Sequence, residues 1–125
     1  GADNKRMKTA KEDLNVQAYV VIYLVHWITN VGGGACSGTL NNCIVYHNNA
    51  AVGPNHYKST LDYSCTTPLP PDGVGNIAAD PQLASWTHLS AASPCIGAGS
   101  ALYTNGLDID GEPWADPPCM GADQL

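Results

Sequence analysis

The sequence predicts an all-β fold built from stacked repeats, on three observations. Glycine and proline are frequent (13 and 9 of 125 residues) and phenylalanine is absent, which favours tight turns between short strands. A repeat with a period near 22 residues runs through the middle of the chain. The most apolar stretch, residues 16–28, is rich in β-branched and aromatic residues, which favours strand. The mass of 13.1 kDa suits one domain.

The repeat rests on two copies of one pattern. Residues 39–46 read TLNNCIVY and residues 60–67 read TLDYSCTT, with the threonines 21 positions apart. One period before the first copy, the pattern reaches Ala18 in the apolar stretch. In a β-solenoid, parallel strands stack about 4.8 Å apart and equivalent side chains form ladders. We therefore expect Cys43 and Cys65 on adjacent coils, both pointing into the core.

A series of motifs along the chain carries a family resemblance. The stretch GGGACSGTLNNCIVYHN is followed in order by NIAADPQL, SPCIGAG, DIDGEPW and MGAD. The series resembles the C-terminal part of right-handed parallel β-helix proteins of the pectin-lyase-like superfamily, of the bacterial secreted or surface type. It covers residues 30–125, with Gly97 standing where an acidic or amide residue is common. The resemblance implies a fold and a secreted or cell-surface location, and it leaves the activity open.

The predicted fold class is therefore all-β: a short right-handed parallel β-helix of about two to three coils, with an N-terminal cap segment and an irregular C-terminal cover. We expect a flexible N-terminal tail over residues 1–13 and a single β-helix domain over residues 14–125. Within this domain the expected parts are an apolar cap or strand (14–30), the coils (31–75) and the C-terminal cover (76–125).

The distribution of charge excludes several classes of partner. Lys58 is the only Lys or Arg after residue 13, and the net charge is −6. One cation does not neutralise a row of phosphates, so we expect no nucleic-acid binding. The apolar stretch is shorter than the roughly 20 residues of a membrane-spanning helix, so we expect no membrane span. Acidic residues next to the stretch argue against a signal peptide.

The cysteines and histidines show no metal-site spacing. The five cysteines are Cys36, Cys43, Cys65, Cys95 and Cys119. No pair has C-x-x-C spacing and the four histidines show no paired spacing, so we expect no transition-metal site and no cofactor. One or two disulfides fit this set, and so do five buried thiols, which the expected stack of Cys43 on Cys65 favours.

Asp108 and Asp110 are the candidates for chemistry. Alternating Asp residues place two carboxylates on one side of a turn, as at the start of a calcium loop, or form an Asx-type turn with capping carboxylates. Paired carboxylates also hydrolyse glycosidic bonds, for which Asp108 with Asp110, or Asp62 with Asp80, are the available pairs. The Asx-type turn is the preferred interpretation, so we expect neither a catalytic residue nor a metal ligand here.

Four aromatic residues are the candidates for ligand binding: Tyr46, Tyr57, Tyr63 and Trp86. Aromatic side chains on the face of a solenoid stack against sugar rings, or they simply pack. We predict a non-catalytic structural or binding module with polysaccharide as the candidate ligand. The alternatives are a carbohydrate-active enzyme (glycoside hydrolase or polysaccharide lyase) and a β-helix fragment without a ligand. A lyase would have only Lys58 as its base.

The apolar stretch also predicts self-association. Residues 19–25 read YVVIYLV and offer no polar face to water. Such a run is stable only when both of its sides are buried away from water, and a second copy of the chain would provide that burial. We expect a homodimer, which light scattering would show as twice the chain mass of 13.1 kDa.

Overall fold

The computed structural model describes residues 7–8, 11–12, 15–17, 20–21, 29–31, 35–48, 50–52 and 55–125. Its strands are short, two or three residues each. They are β1 (Met7–Lys8), β2 (Lys11–Glu12), β3 (Asn15–Gln17), β4 (Val20–Val21), β5 (Thr29–Val31), β6 (Ala35–Cys36), β7 (Thr39–Asn41), β8 (Ile44–Val45), β9 (Ala50–Val52), β10 (His56–Tyr57), β11 (Thr60–Asp62) and β12 (Cys65–Thr66). Residues 67–125 form turns and irregular structure around one 3₁₀ helix, Ala101–Tyr103.

The described strands pair with one another only in parallel. The sheets have the orders β1-β4-β8-β12, β2-β6-β10, β3-β7-β11 and β5-β9. Three successive segments, residues 11–21, 35–45 and 56–66, each give one strand to each of the three larger sheets, and we call these segments rungs. Asn15 pairs with Thr39, 24 positions on, and Thr39 pairs with Thr60, 21 positions on. This stacking is what a parallel β-helix requires, and the β-helix itself stays a prediction.

The predicted ladder of Cys43 on Cys65 is wrong. Cys65 pairs with Ile44, because the 21-residue register that joins the two T-L pairs continues through β8 and β12. Cys43 lies opposite Ser64, whose Oγ accepts the Cys43 N–H at 3.2 Å. Both cysteines are buried, but they occupy different positions of the repeat.

The N-terminal segment takes part in the sheets. The first rung contains β3, whose Asn15 pairs with Thr39, so the expected equivalence of Ala18 with Thr39 is wrong: the first period has 24 residues. Strands β1 and β2 lie within residues 1–13, where the sequence predicts a flexible tail, and they pair with β4 and β6. Strand β4 and the last two residues of β3 belong to the apolar stretch. Residues 22–28 of that stretch lie outside the described residues.

A single residue with left-handed backbone turns the chain between strands. Ser37, Asn42 and His47 follow β6, β7 and β8 with φ of 57°, 53° and 60°. Lys58 and Tyr63 occupy the same positions as Ser37 and Asn42 in the third rung, both at φ 50°. This conformation costs a residue with a Cβ about 1–2 kcal/mol, which the stacking of the rungs must offset. Because the corner recurs at every few residues, the strands remain short.

The core lies between the last two rungs and the C-terminal segment. Its buried apolar members are Ile44, Cys65, Leu89, Cys95, Ile109, Cys119, Met120 and Ala122. Ile77 continues the first sheet as a parallel bridge to Cys65, donating to Ser64 O and accepting from Thr66 N, both at 2.9 Å. The C-terminal segment thus buries the apolar side chains that a further rung would otherwise bury.

Asn42 fastens the C-terminal segment to the rungs. Its fully buried side chain donates from Nδ2 to Ser100 O and accepts at Oδ1 from Ser100 N, each at 2.8 Å. Its carbonyl accepts the Gly121 N–H at 2.7 Å. A Cβ on Gly99 would lie 3.0 Å from the Asn42 Oδ1, so glycine permits this close approach. One corner residue therefore holds two distant parts of the chain.

Asn42→Gly keeps the left-handed corner and removes both side-chain bonds. We expect it to lower the free energy of unfolding by about 2 kcal/mol, because the Ser100 backbone loses its partners. Asn42→Ala should cost about 1 kcal/mol more, since alanine is disfavoured at positive φ. Urea denaturation measures both variants. Asn105→Ala, at an exposed asparagine, is the control and should stay within about 0.5 kcal/mol of wild type. Equal stability of wild type and Asn42→Gly would contradict this role.

Candidate functional site

A groove of about 580 Å³ combines an exposed aromatic ring with several polar groups. Trp86 is 54% exposed and supplies the ring. The lining residues are His47, Asp80, Gln82, Leu83, Ala84, Ser85 and Trp86. This volume falls within the range of about 300–1,000 Å³ that is common for small-molecule sites. We call it the Trp86 groove.

A short hairpin presents the tryptophan. Leu83 and Leu89 form an antiparallel bridge, and the Ala84 N–H donates to His88 O at 2.8 Å. Leu89 is buried in the core and Leu83 packs against it, so the base of the hairpin is fixed. Trp86 lies in the turn between them, and its side chain is exposed.

Asp80 and Gln82 form a rigid polar edge of the groove. The Asp80 Oδ1 accepts the Gln82 N–H at 2.9 Å, and Gln82 adopts a left-handed φ of 49°. Pro81 between them is buried, and its carbonyl accepts from Ser93 Oγ at 2.6 Å. This buried anchor leaves the side chains of Asp80 and Gln82 exposed on the groove.

Tyr46 supports the groove from below. Its ring meets the His47 ring edge-on at 4.9 Å between centroids, and its hydroxyl donates to Ala78 O at 3.0 Å. The half-buried ring packs against the core, and burial raises the pKa of Tyr46 above its ordinary value. Tyr46 therefore contacts His47 from outside the groove lining.

The four predicted aromatic residues do not share one platform. Tyr57 lines a second groove of about 400 Å³, on the side of Lys58, whose Nζ lies 5.3 Å from the Tyr57 ring centroid. The Tyr63 ring is tilted against that of Tyr103 at 6.3 Å. Trp86 alone of the four lines the larger groove. The sequence could not separate them, because it does not show which parts of the fold lie beside each ring.

The DIDG sequence forms the predicted Asx-type turn. The Asp108 Oδ1 accepts from Asp110 N at 2.9 Å and from Glu112 N at 2.7 Å, and its Oδ2 accepts from Gln124 N at 2.8 Å. Asp108 is buried and Asp110 is exposed. Since three backbone amides hold both oxygens of Asp108, this carboxylate fixes the turn and the chain terminus.

Carboxylates crowd together around this turn. Asp108, Asp110, Glu112 and Asp123 each place one oxygen within 4.8 Å of the others. The charge of Asp108 raises the pKa of Glu112, and burial raises the pKa of Asp123. The buried Asp123 also accepts the Leu89 N–H at 3.1 Å, so it connects the carboxylate turn to the hairpin of the Trp86 groove.

A chain of hydrogen bonds runs from this turn to the edge of the groove. The His88 Nε2 lies 2.8 Å from Asp110 Oδ2, and the His88 Nδ1 lies 2.7 Å from Thr87 Oγ1 and 3.3 Å from Ser85 Oγ. With a proton on Nε2 donated to Asp110, Nδ1 is free to accept from a hydroxyl. Sequence analysis missed His88, because it lies 22 positions from Asp110 and no motif connects them.

Comparison of the chain with protein-family models, with curated protein sequences and with solved structures finds no match. Among the residues that the structure describes, no helix is both long and apolar enough to cross a bilayer.

The raised pKa of Asp123 predicts how stability depends on pH. The folded state holds this proton more tightly than the unfolded state, in which the pKa is near the ordinary value of about 3.9. As pH rises from about 4 through the raised folded pKa, the unfolded state ionises first and stability falls. Glu112 acts in the same direction.

Asp123→Asn should therefore make this decline shallower, because it keeps the acceptor for Leu89 N and removes the charge. Urea denaturation between about pH 4 and pH 7 measures the slope. Asp72→Asn, at an exposed acid, is the control and should follow wild type. A wild-type slope that Asp123→Asn leaves unchanged would show that Asp123 does not cause it.

Proposed function

We propose that this chain is a non-catalytic polysaccharide-binding module whose binding site is the Trp86 groove. The observation that carries the proposal is the exposed Trp86 beside a carboxylate, an amide and an imidazole. A sugar ring has a flat apolar C–H face and a rim of hydroxyl groups, so it needs an aromatic surface and nearby polar partners. The groove supplies both, with Trp86 on the hairpin and Asp80, Gln82 and His47 beside it.

The polar edge suits hydroxyl groups. The Asp80 carboxylate accepts charge-assisted hydrogen bonds from hydroxyls, which are stronger than bonds between neutral groups. The Gln82 amide both donates and accepts, as a sugar hydroxyl does. Both residues are exposed and lie on an anchored loop, so little conformational entropy is lost when they bind.

Charge favours a neutral glycan over an acidic one. Among the residues that the structure describes, no Lys or Arg lines the Trp86 groove, which carries the acidic Asp80. A uronate carboxylate would meet repulsion there without a partner cation. Lys58, the only Lys or Arg after residue 13, lines the second groove instead.

The fold, location and assembly that the sequence predicts belong to the same proposal. The parallel rungs with 21- and 24-residue registers support a short parallel β-helix, and its right hand rests on the family resemblance. A secreted or cell-surface location would bring the module to polysaccharide. The homodimer rests on the apolar stretch, of which residues 22–28 lie outside the described residues.

Trp86→Ala should weaken binding to neutral polysaccharide by at least about tenfold, which corresponds to about 1.4 kcal/mol, because it removes the stacking surface. Isothermal titration with soluble neutral glycans, chosen from a glycan array, measures the loss. Tyr57→Ala is the matched control, since it removes an aromatic ring from the second groove and should leave affinity unchanged. Binding that depends on Tyr57 and not on Trp86 would contradict the assignment.

A second candidate function, hydrolysis of an ester such as an O-acyl group on a glycan, is favoured by one observation. Ser85 lines the Trp86 groove and its Oγ lies 3.3 Å from His88 Nδ1, while Asp110 holds the opposite nitrogen. A hydroxyl, a base and a carboxylate that orients the base are the parts of a nucleophilic acyl transfer. The closer Thr87 hydroxyl competes for the same nitrogen, which is why binding remains the leading proposal.

For ester hydrolysis with His88 as the base, His88→Ala should reduce the turnover of an acyl ester by about 10²–10⁴-fold. Release of acetate from acetylated polysaccharide measures the rate, and Ser85→Ala should reproduce the loss. His56→Ala is the control, because it removes a half-buried histidine that lines the second groove, and it should leave the rate unchanged. Equal rates for wild type, His88→Ala and buffer would exclude hydrolysis and leave the binding module intact.

A further inference from the structure

One asparagine of the chain is followed by glycine, and it lies in an exposed loop. Of the ten asparagines, only Asn105 has glycine after it. The side chain of Asn105 and the backbone of Gly106 are both exposed. Their loop joins the 3₁₀ helix Ala101–Tyr103 to the turn that Asp108 holds. The Trp86 groove and the proposed function do not use this loop.

The Asn105 side chain and the Gly106 nitrogen have room to meet. Among the described residues, none forms a hydrogen bond with the Asn105 amide or with the Gly106 N–H. Gly106 has a left-handed φ of 65°, and a Cβ built on it would meet no atom within 4 Å outside its chain neighbours. Since glycine has no side chain, nothing shields its nitrogen from the side chain before it. The two groups are therefore open to each other and to water.

We propose that Asn105 and Gly106 form a self-modification site, at which Asn105 becomes aspartate or isoaspartate. The Gly106 nitrogen attacks the Asn105 Cγ, an intramolecular step that chain connectivity favours. The Cγ–Nδ2 bond breaks, and ammonia leaves with the proton of the attacking nitrogen. Water then opens the cyclic imide: cleavage at Cγ gives aspartate, and cleavage at the main-chain carbonyl gives isoaspartate. Overall, one water is consumed, one ammonia is released, and nothing is oxidised or reduced.

The other described asparagines lack this combination of features. Four of them are buried: Asn41, Asn42, Asn48 and Asn55. Both polar atoms of the Asn76 side chain form hydrogen bonds with the backbone, and the next residue is the β-branched Ile77. Asn15 and Asn30 lie in strands and are each followed by valine. A β-branched side chain is stiff and bulky beside its own nitrogen, which hinders the attack.

Two Asp-Gly pairs have the same backbone arrangement and react less readily. Asp72 precedes Gly73, and Asp110 precedes Gly111. An ionised carboxylate is a poor electrophile, because it must gain a proton before it loses water. In the second pair the Gly111 N–H also donates to Asp108 O at 3.1 Å. Isoaspartate formed at either pair would leave the mass of the chain unchanged, which distinguishes it from reaction at Asn105.

The reaction changes both the charge and the backbone of the chain. Either product adds one negative charge to a chain whose net charge is already −6. Isoaspartate also adds a methylene group to the main chain between Ser100, which Asn42 holds, and Asp108, which three backbone amides hold. Because both ends are anchored, the loop between them must absorb the added length. This inference is independent of the proposed function, since the loop does not line the Trp86 groove.

Digestion with a protease that cleaves before Asp distinguishes the starting residue from both products. The folded full chain is incubated in mildly alkaline buffer at physiological temperature, then unfolded, digested and analysed by mass spectrometry. Unmodified Asn105 lies in the peptide of residues 80–107. Aspartate at this position adds a cleavage that gives residues 80–104 and 105–107. Isoaspartate leaves peptide 80–107 uncut and heavier by the difference between OH and NH₂. We expect both products to accumulate.

A synthetic peptide of residues 100–110, incubated in parallel, gives the rate for an unrestrained loop. The folded chain should react within about tenfold of that rate, which corresponds to about 1.4 kcal/mol in the barrier. Asn105→Gln requires a larger ring and should leave peptide 80–107 unmodified. Asn76, in the peptide of residues 72–79, is the matched control within the same chain and should keep its amide. A folded chain that loses the Asn105 amide more slowly than this, or products that persist in Asn105→Gln, would overturn the proposal.

Discussion

The left-handed corners between strands set the positions of the described rungs and of the contacts that the C-terminal segment makes with them. A single residue turns the chain after β6, β7 and β8, so each rung brings its strands back into parallel register with the rung before it. Two corner residues also take part in contacts beyond the rungs. Asn42 forms hydrogen bonds with Ser100 and Gly121, and His47 lines the Trp86 groove. A change of one residue in register would displace both contacts.

The C-terminal segment covers the last rung with little regular structure. Ile77 supplies one more parallel bridge, and side chains from several separate turns, including Leu89, Ile109 and Met120, fill the core against Ile44. Because these turns have no continuous backbone ladder, they depend on specific bonds such as the Asn42 clamp.

The groove and the carboxylate turn share one hairpin. Leu89 N–H binds the buried Asp123, and His88 beside it binds Asp110. The same hairpin presents Trp86 to solvent. Protonation of the carboxylates therefore acts on the part of the chain that carries the candidate binding surface, whereas the rungs beneath it contribute mainly a rigid support.

The sequence by itself determined the repeat: the T-L pairs that lie 21 positions apart stack in the structure, Thr39 on Thr60 and Leu40 on Leu61. It also predicted the Asx-type turn at Asp108. It could not determine the register at the cysteines, since one-residue offsets look alike in a sequence and only the hydrogen-bonded ladder distinguishes Ile44 from Cys43 as the partner of Cys65. Nor could it select Trp86 from the four candidate aromatic residues. The exposure of Trp86 and its neighbours, such as Asp80, depend on which turns meet in space. Contacts between residues that are far apart in sequence are determined by tertiary packing.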